Sequence, residues 1–162
     1  MRIRSFTDED AEFCYQVRNR AYRVEFRHEL SPQEIAAATS AYLPSDYVRM
    51  SRDGKVFVVE EGAEAVGFFT LKRTGPTRAE LPLIYLDAEH MGKGIGRRCI
   101  AYLEDWIRSN WSEVSTLFVD TIIPNYNGGF YRNAGFTQAG ETVCPFPEGS
   151  VPAIRFEKKL GP

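Results

Sequence analysis

The spacing of apolar side chains changes several times along the chain, and each change marks an element. Ile3 and Phe6 stand apart from Arg2 and Arg4, which predicts a short strand over residues 1–6. Thr7 followed by Asp8, Glu9 and Asp10 predicts a helix start, since a threonine oxygen caps the first amides and carboxylates suit the positive end of the dipole. That helix runs to about Tyr22. Ser31-Pro32-Gln33-Glu34 is a second start, with Ser31 as cap, Pro32 in the first helical position and Glu34 completing the box; this helix ends near Tyr42, before Pro44. The period then falls to two. Val56–Val59, the turn Glu60-Glu61-Gly62 and Val66–Leu71 predict a hairpin. Glu80–Leu86 is a third strand of this set, interrupted by Pro82, which has no amide to donate. Ile95, Cys99, Leu103 and Ile107 form one stripe of a helix over Gly94–Ser109. Ser115–Thr121 alternates again, Asn127–Asn133 is a short helix closed by Gly135, and Phe136–Val143 and Ala153–Leu160 are two final strands. The order β-αα-βββ-α-β-α-ββ predicts an α/β fold, a central mixed sheet with helices on both faces.

A length of 162 residues suits one domain spanning 1–162, large enough to fold without disulfides or a metal. No repeat, low-complexity run or linker divides it. Twenty Lys and Arg against 22 Asp and Glu leave a formal charge of -2, which argues against a nucleic-acid binder relying on a large positive field. There is no apolar run long enough for a membrane-spanning helix, and the opening MRIRSFTDED lacks a secretory hydrophobic region, so a cytoplasmic protein is expected. Cys14, Cys99 and Cys144 are far apart and odd in number. They read as buried or half-buried thiols rather than a disulfide framework, and with only His28 and His90 beside them no metal site is expected.

The most informative stretch is Leu83 to Arg98, LIYLDAEHMGKGIGRR. A buried strand ends, three glycines alternate, and an amphipathic helix begins. This arrangement aims free backbone amides at one point, at the positive end of a helix dipole, and glycine lets an anion approach them closely. A phosphate or diphosphate is the natural guest, with Lys93 and Arg97 adding charge at the rim. The spacing is not that of a Walker loop, and a dinucleotide fingerprint starting at Gly92 would need glycine where Arg97 stands.

Met91-Gly92-Lys93-Gly94-Ile95-Gly96 resembles motif A of the GNAT superfamily, the GCN5-related N-acetyltransferases, with Met91 in place of the usual Gln or Arg. Asn125 and Gly129-Phe130-Tyr131-Arg132-Asn133-Ala134-Gly135-Phe136 resemble the family's Asn…Phe-Tyr…Gly-Phe segment, with Pro124 where the asparagine usually sits. The element order is similar across nearly the whole chain. The resemblance implies acetyl-CoA held where two parallel strands, Glu80–Leu86 and Ser115–Thr121, splay apart. Ile84, Tyr85 and Leu86 would hold the pantetheine arm and acetyl group. Met91, Gly92, Lys93, Gly94, Ile95, Gly96 and Arg97 would hold the diphosphate, with Asn125 and Tyr131 as further cofactor contacts.

The implied reaction is direct transfer to a primary amine, of a small molecule rather than a protein tail. A backbone amide near Leu86 would steady the oxyanion. Tyr131 would assist the departing thiolate, its alternative being a packed aromatic beside Phe130. Glu80 would be the general base, with Asp87, Asp120 and ordered water as rivals and a solvated strand glutamate as the plain alternative. Substrate choice is expected between Arg18 and Leu30. There Arg18, Arg20, Arg23 and Arg27 read first as a solvated helix face, and second as a pocket for a carboxylate or phosphate. Cys144 to Gly149 is expected to form the opposite wall. Two other functions stay open at this point: an acyl-CoA sensor that transfers nothing, and a nucleotide binder with an unusual loop. A homodimer is compatible with the sequence.

Overall fold

A computed structural model of the chain, describing residues 1–161, joins eight strands into one mixed sheet. The strands are β1 (Arg2–Ser5), β2 (Lys55–Glu61), β3 (Glu64–Arg73), β4 (Arg78–Glu80), β5 (Ile84–Leu86), β6 (Thr116–Thr121), β7 (Thr137–Phe146) and β8 (Gly149–Lys159). The helices are α1 (Ala11–Arg20), α2 (Pro32–Ser40), α3 (Pro44–Asp53), α4 (Ile95–Asn110) and α5 (Pro124–Asn133). The sheet runs β1-β2-β3-β4-β6-β8-β7, with β5 also beside β3. Only β4 and β6 pair in parallel.

Strand alternation sends side chains to two helical layers. Phe57, Phe69, Leu71, Leu117 and Val119 meet Ile95, Cys99, Leu103 and Ile107 of α4 on one face. Val56 and Phe68 meet Cys14 and Val17 of α1 and Tyr47 of α3 on the other. The fully buried Leu103 and Ile107 are worth about 2–3 kcal/mol each in transfer free energy.

The helix starts follow the sequence signals with three differences, the last of them at α5, which begins at Pro124 rather than Asn127. At α2 the box forms as expected: Ser31 Oγ accepts from the Glu34 amide at 3.1 Å, and the Glu34 carboxylate from the Ser31 amide at 2.8 Å. Before α1, the acceptor is not the Thr7 hydroxyl; Asp10 accepts from the Thr7 amide at 2.8 Å and is clasped by Arg4 at 2.8 and 2.9 Å. The second difference is α3, which the hydrophobic spacing does not announce. It starts at Pro44, where the Asp46 carboxylate accepts from the Leu43 amide at 2.7 Å, and Tyr47 is its one buried residue. Beyond Arg20, α1 continues as a wider turn over Ala21–Glu25, closed by the Phe26 amide on the Ala21 carbonyl.

The expected strand Glu80–Leu86 is split at Pro82 into β4 and β5. Between the Lys72–Glu80 and Phe69–Ile84 pairs, three steps along β3 match four along its partner. The extra residue is a bulge at Leu81–Leu83, where Thr70 takes over: its amide donates to the Leu83 carbonyl and its Oγ1 accepts from the Leu83 amide.

Candidate functional site

The bulge opens the sheet. Pairing between β4 and β6 covers Arg78–Glu80 and Thr116–Phe118 and ends with the Leu81 amide on the Phe118 carbonyl. Beyond that point β5 stays on β3, while β6 stays on β8. In the antiparallel β3–β5 ladder the Thr70 amide bonds Leu83 and the Asp87 amide bonds Val66. Bonded pairs alternate, so Tyr85 spends its backbone groups on Phe68, and those of Ile84 and Leu86 face the opening. By the same alternation on β6, whose Phe118 faces β4, the backbone of Asp120 faces the opening from the far side. A cavity of about 520 Å³ occupies the gap, lined by Ile84 and Tyr85 on one wall and Val119, Asp120 and Thr121 on the other.

Six residues after Leu86 the chain reaches the glycines. Gly92 and Gly94 have φ of 73° and 79°, the left-handed region where only glycine is unstrained, and Gly94 is the residue before α4. A Cβ at either would meet nothing within 4 Å, so open space lies in front of both. Gly96 serves differently: its Cβ would lie 2.9 Å from the Phe130 ring, so glycine there lets α5 sit against α4. The Met91 amide is committed to the Ala88 carbonyl, and the first helical bond joins the Arg98 amide to the Gly94 carbonyl. Among the described residues no acceptor meets the amides of Gly92 to Arg97, and no side chain caps α4. Unpaired amides at a helix N-terminus suit an anion, and Lys93 and Arg97 are exposed beside them.

Tyr131 stands in α5, its ring packed between Phe130, Phe136 and Phe156 at centroid distances of 5.1, 5.7 and 5.7 Å, and it reaches the cavity. Burial holds its phenol well above the usual tyrosine range, with Tyr85 adding to the effect. Glu80 lines the same cavity, half-buried. Burial raises its pKa above the ordinary carboxylate value, the Asp120 charge raises it further, and Lys72 and Arg155 pull it back. Asp120 itself is held by Arg155 through two 2.8 Å hydrogen bonds. Cys144 completes this wall with Pro145 and Phe146; burial and the carboxylates of Asp120 and Glu80 push its thiol up to about 11, so it stays protonated at neutral pH.

The Arg18–Leu30 stretch divides. Arg20, Arg23 and Arg27 are exposed, as the solvated-face reading has it, but Arg18 is 1% exposed and lines the cavity. Its guanidinium stacks on Tyr42, Tyr22 and Tyr85 at 4.8, 4.9 and 5.7 Å, and Nη1 donates to the Ala38 carbonyl at 2.6 Å. Tyr22 and Tyr85 share a 2.7 Å hydrogen bond between their hydroxyls. Cation–π contacts return about 1–2 kcal/mol each when desolvated, which offsets only part of the cost of burying the charge.

The structure thus brings Glu80, Ile84, Tyr85, Tyr131 and Asp120 to one cavity and the residues 92–97 to the turn into α4. Asn125 lies exposed in the first turn of α5, outside the cavity lining. Asn127 lines it instead, its Oδ1 accepting from Thr121 Oγ1 at 2.7 Å. The Met91 side chain touches Tyr126, whose hydroxyl lies 3.7 Å from the sulfur. Asp87 sits at the start of the loop, outside the cavity lining. Among the described residues no group of three His, Cys, Asp or Glu is placed to hold a metal, and no helix is long and apolar enough to cross a membrane.

Comparison with known proteins follows the same geometry. The model of the acetyltransferase (GNAT) family matches residues 11–136. None of the curated proteins matches the chain. Among solved structures, a GCN5-related N-acetyltransferase from Rhodopseudomonas palustris is similar with a TM-score of 0.84 at 16% identity, covering 98% of this chain and 95% of that one. The PaiA N-acetyltransferase of Thermoplasma acidophilum, solved in complex with coenzyme A, gives 0.79 at 21% identity and 98% of each chain. The ribosomal-protein-S18-alanine N-acetyltransferase of Escherichia coli gives 0.72 at 18% identity, covering 99% and 94%.

Proposed function

The chain belongs to the acetyltransferase (GNAT) family, and from that premise we propose that it moves an acetyl group from acetyl-CoA to the primary amine of a small molecule, by direct attack in a ternary complex. The observation that carries this reading is the opening between β5 and β6, with unpaired strand backbone on both sides and an anion cradle at the end of β5. The site fits the cosubstrate: open space stands before Gly92 and Gly94, and the cradle's amides have no partner among the described residues. The coenzyme A complex of the Thermoplasma acidophilum enzyme, on the same fold, supports the choice of ligand.

Bound acetyl-CoA supplies an activated thioester carbonyl. The amides of Gly92 to Arg97 hold the diphosphate, aided by the dipole of α4. The backbones of Ile84 and Leu86 bind the pantetheine arm as a missing strand would, and the Leu86 amide donates to the developing oxyanion. Tyr85 contributes its ring to the wall. Glu80, its affinity for a proton raised by burial, takes the proton from the attacking amine, directly or through water. Tyr131 donates a hydrogen bond to the departing thiolate. Asn127, which lines the cavity and accepts from Thr121, is a further contact in this reading.

Calorimetry with CoA and with ATP, followed by thiol release from acetyl-CoA across a panel of amines, tests this reading. Binding of CoA and amine-dependent thiol release are expected. Tight binding of ATP with none of CoA overturns it, and CoA binding without turnover on any amine replaces the enzyme by a sensor.

A further inference from the structure

Arg18 is the only buried cation among the described residues, and it is spent on nothing the acetyl transfer requires. It lines the cavity beside the opening. Its Nε has no hydrogen-bond partner, and no carboxylate of the described residues pairs with it; Asp120, the nearby acid, is held by Arg155. Tyr47 Oη, buried among the neighbouring aromatics, is also unpartnered. An arginine stays charged at any physiological pH, so the fold keeps a desolvated positive charge at the wall of its reaction chamber without supplying a counter-ion. Tyr22, Tyr42 and Tyr85 fix the guanidinium from several sides and leave it no freedom to swing toward solvent.

The opposite charge lies on the strands. Glu80, which lines the same cavity as Arg18, suits an ammonium or amine, so the two poles share one chamber. We propose that Arg18 receives a carboxylate carried by the acceptor, so that the substrate is an amino acid or a similar carboxylate-bearing amine, its nitrogen toward Glu80 and its carboxylate toward Arg18. This rests on the acetyltransfer reading and names the substrate class within it. A planar carboxylate fits the planar guanidinium, and the tyrosine rings around it suit the carbon skeleton between the two poles. Arg18 is thereby a specificity-determining residue.

The test pairs each amino acid of a panel with its primary amide and its aminoalkylphosphonate, using acetyl-CoA and thiol release. Wild-type protein is expected to prefer the acid over the amide at least tenfold in kcat/KM. Arg18→Gln should lose that preference, with kcat/KM for the acid falling at least tenfold more than kcat/KM for the amide and the excess appearing in KM, and Arg18→Lys should restore part of it. Equal use of acid and amide by the wild type, or an equal fall on both in Arg18→Gln, overturns the proposal, and a preference for the phosphonate overturns the choice of carboxylate. A second measurement needs neither the variant nor turnover. N-acetyl amino acids and their amides are titrated into CoA-loaded wild-type protein, where at least tenfold tighter binding of the acids is expected and equal binding refutes the Arg18 site. Should no amine release thiol while the acids still bind preferentially, the transferase reading falls and the Arg18 site stands.

Discussion

Replacing Tyr131 by Phe separates chemistry from packing. The ring keeps its contacts with Phe130, Phe136 and Phe156, and only the hydroxyl is lost. Formal proton transfer from an ordinary tyrosine near ~10 to a thiolate near ~8.5 is uphill by about 2 kcal/mol. Burial raises Tyr131 further, so proton transfer becomes steeper still, and the role proposed for the phenol is a hydrogen bond donated to the thiolate as it leaves. A hydrogen bond to a charged group is worth about 1.5–3 kcal/mol, which corresponds to a loss of roughly 10- to 150-fold in kcat. Calorimetric affinity for CoA and the melting temperature should stay at wild-type values, whereas Tyr131→Ala should lose about 3–5 kcal/mol of stability through the cavity it leaves. The assay is stopped-flow thiol release at saturating acetyl-CoA. A kcat within about threefold of wild type, or a loss that appears in CoA affinity instead, refutes the role given to the hydroxyl.

Glu80→Gln should lose the acidic limb of the kcat/KM profile. The folded-state pKa of Glu80 is raised, so its burial favours folding at low pH and opposes it above that value; the Gln variant should therefore melt higher than wild type at neutral pH, with the gain vanishing as pH falls below the ordinary carboxylate range. Asp120→Asn removes a like charge from Glu80 and leaves Arg155 unpaired, and the acidic limb of the rate profile should move to lower pH. Gly96→Ala forces a Cβ to within 2.9 Å of the Phe130 ring and should cost about 1–3 kcal/mol in denaturant melts, while Gly94→Ala meets no neighbour and should cost only the left-handed strain of about 1–2 kcal/mol. The carboxyl of Asp10 lies below its usual range, chiefly through Arg4, so Asp10→Asn should destabilise by about 1–2 kcal/mol at neutral pH; the difference should disappear as acid protonates Asp10 in the wild type.

Most of the framework was readable because strand and helix periods differ sharply here. Phe57 and Val59 alternate with Val56, while Ile95, Cys99, Leu103 and Ile107 recur every fourth residue. The glycine loop before α4 was equally plain, since Gly92 and Gly94 take positive φ at the turn into the helix. Helix α3 escaped because only Tyr47 of its ten residues is buried, so its apolar period is too sparse to register; Pro44 followed by Asp46 is the start signal that marks it. Arg18 was hidden by its company. Three exposed arginines follow it, yet Cys14, Val17 and Ala21 place it on the inward face of α1, and that spacing is the clue that distinguishes it. Asn127 was displaced by a boundary: α5 begins at Pro124, three residues before the expected start, so the residue that faces the cavity is not the one the motif suggests.

The short β4–β6 ladder has a mechanical consequence. Within the sheet, only these few rungs hydrogen-bond a plate of β1, β2, β3 and β5 to a plate of β6, β8 and β7, and past Leu81 the strands part company. The sheet is thus riveted at one end of its middle seam, and amide protons of Ile84, Leu86 and Asp120 should exchange with deuterium far sooner than those of the rungs beside them. On the function proposed above, a reactant lying along the seam would be the second rivet, stitching both plates before any bond is broken.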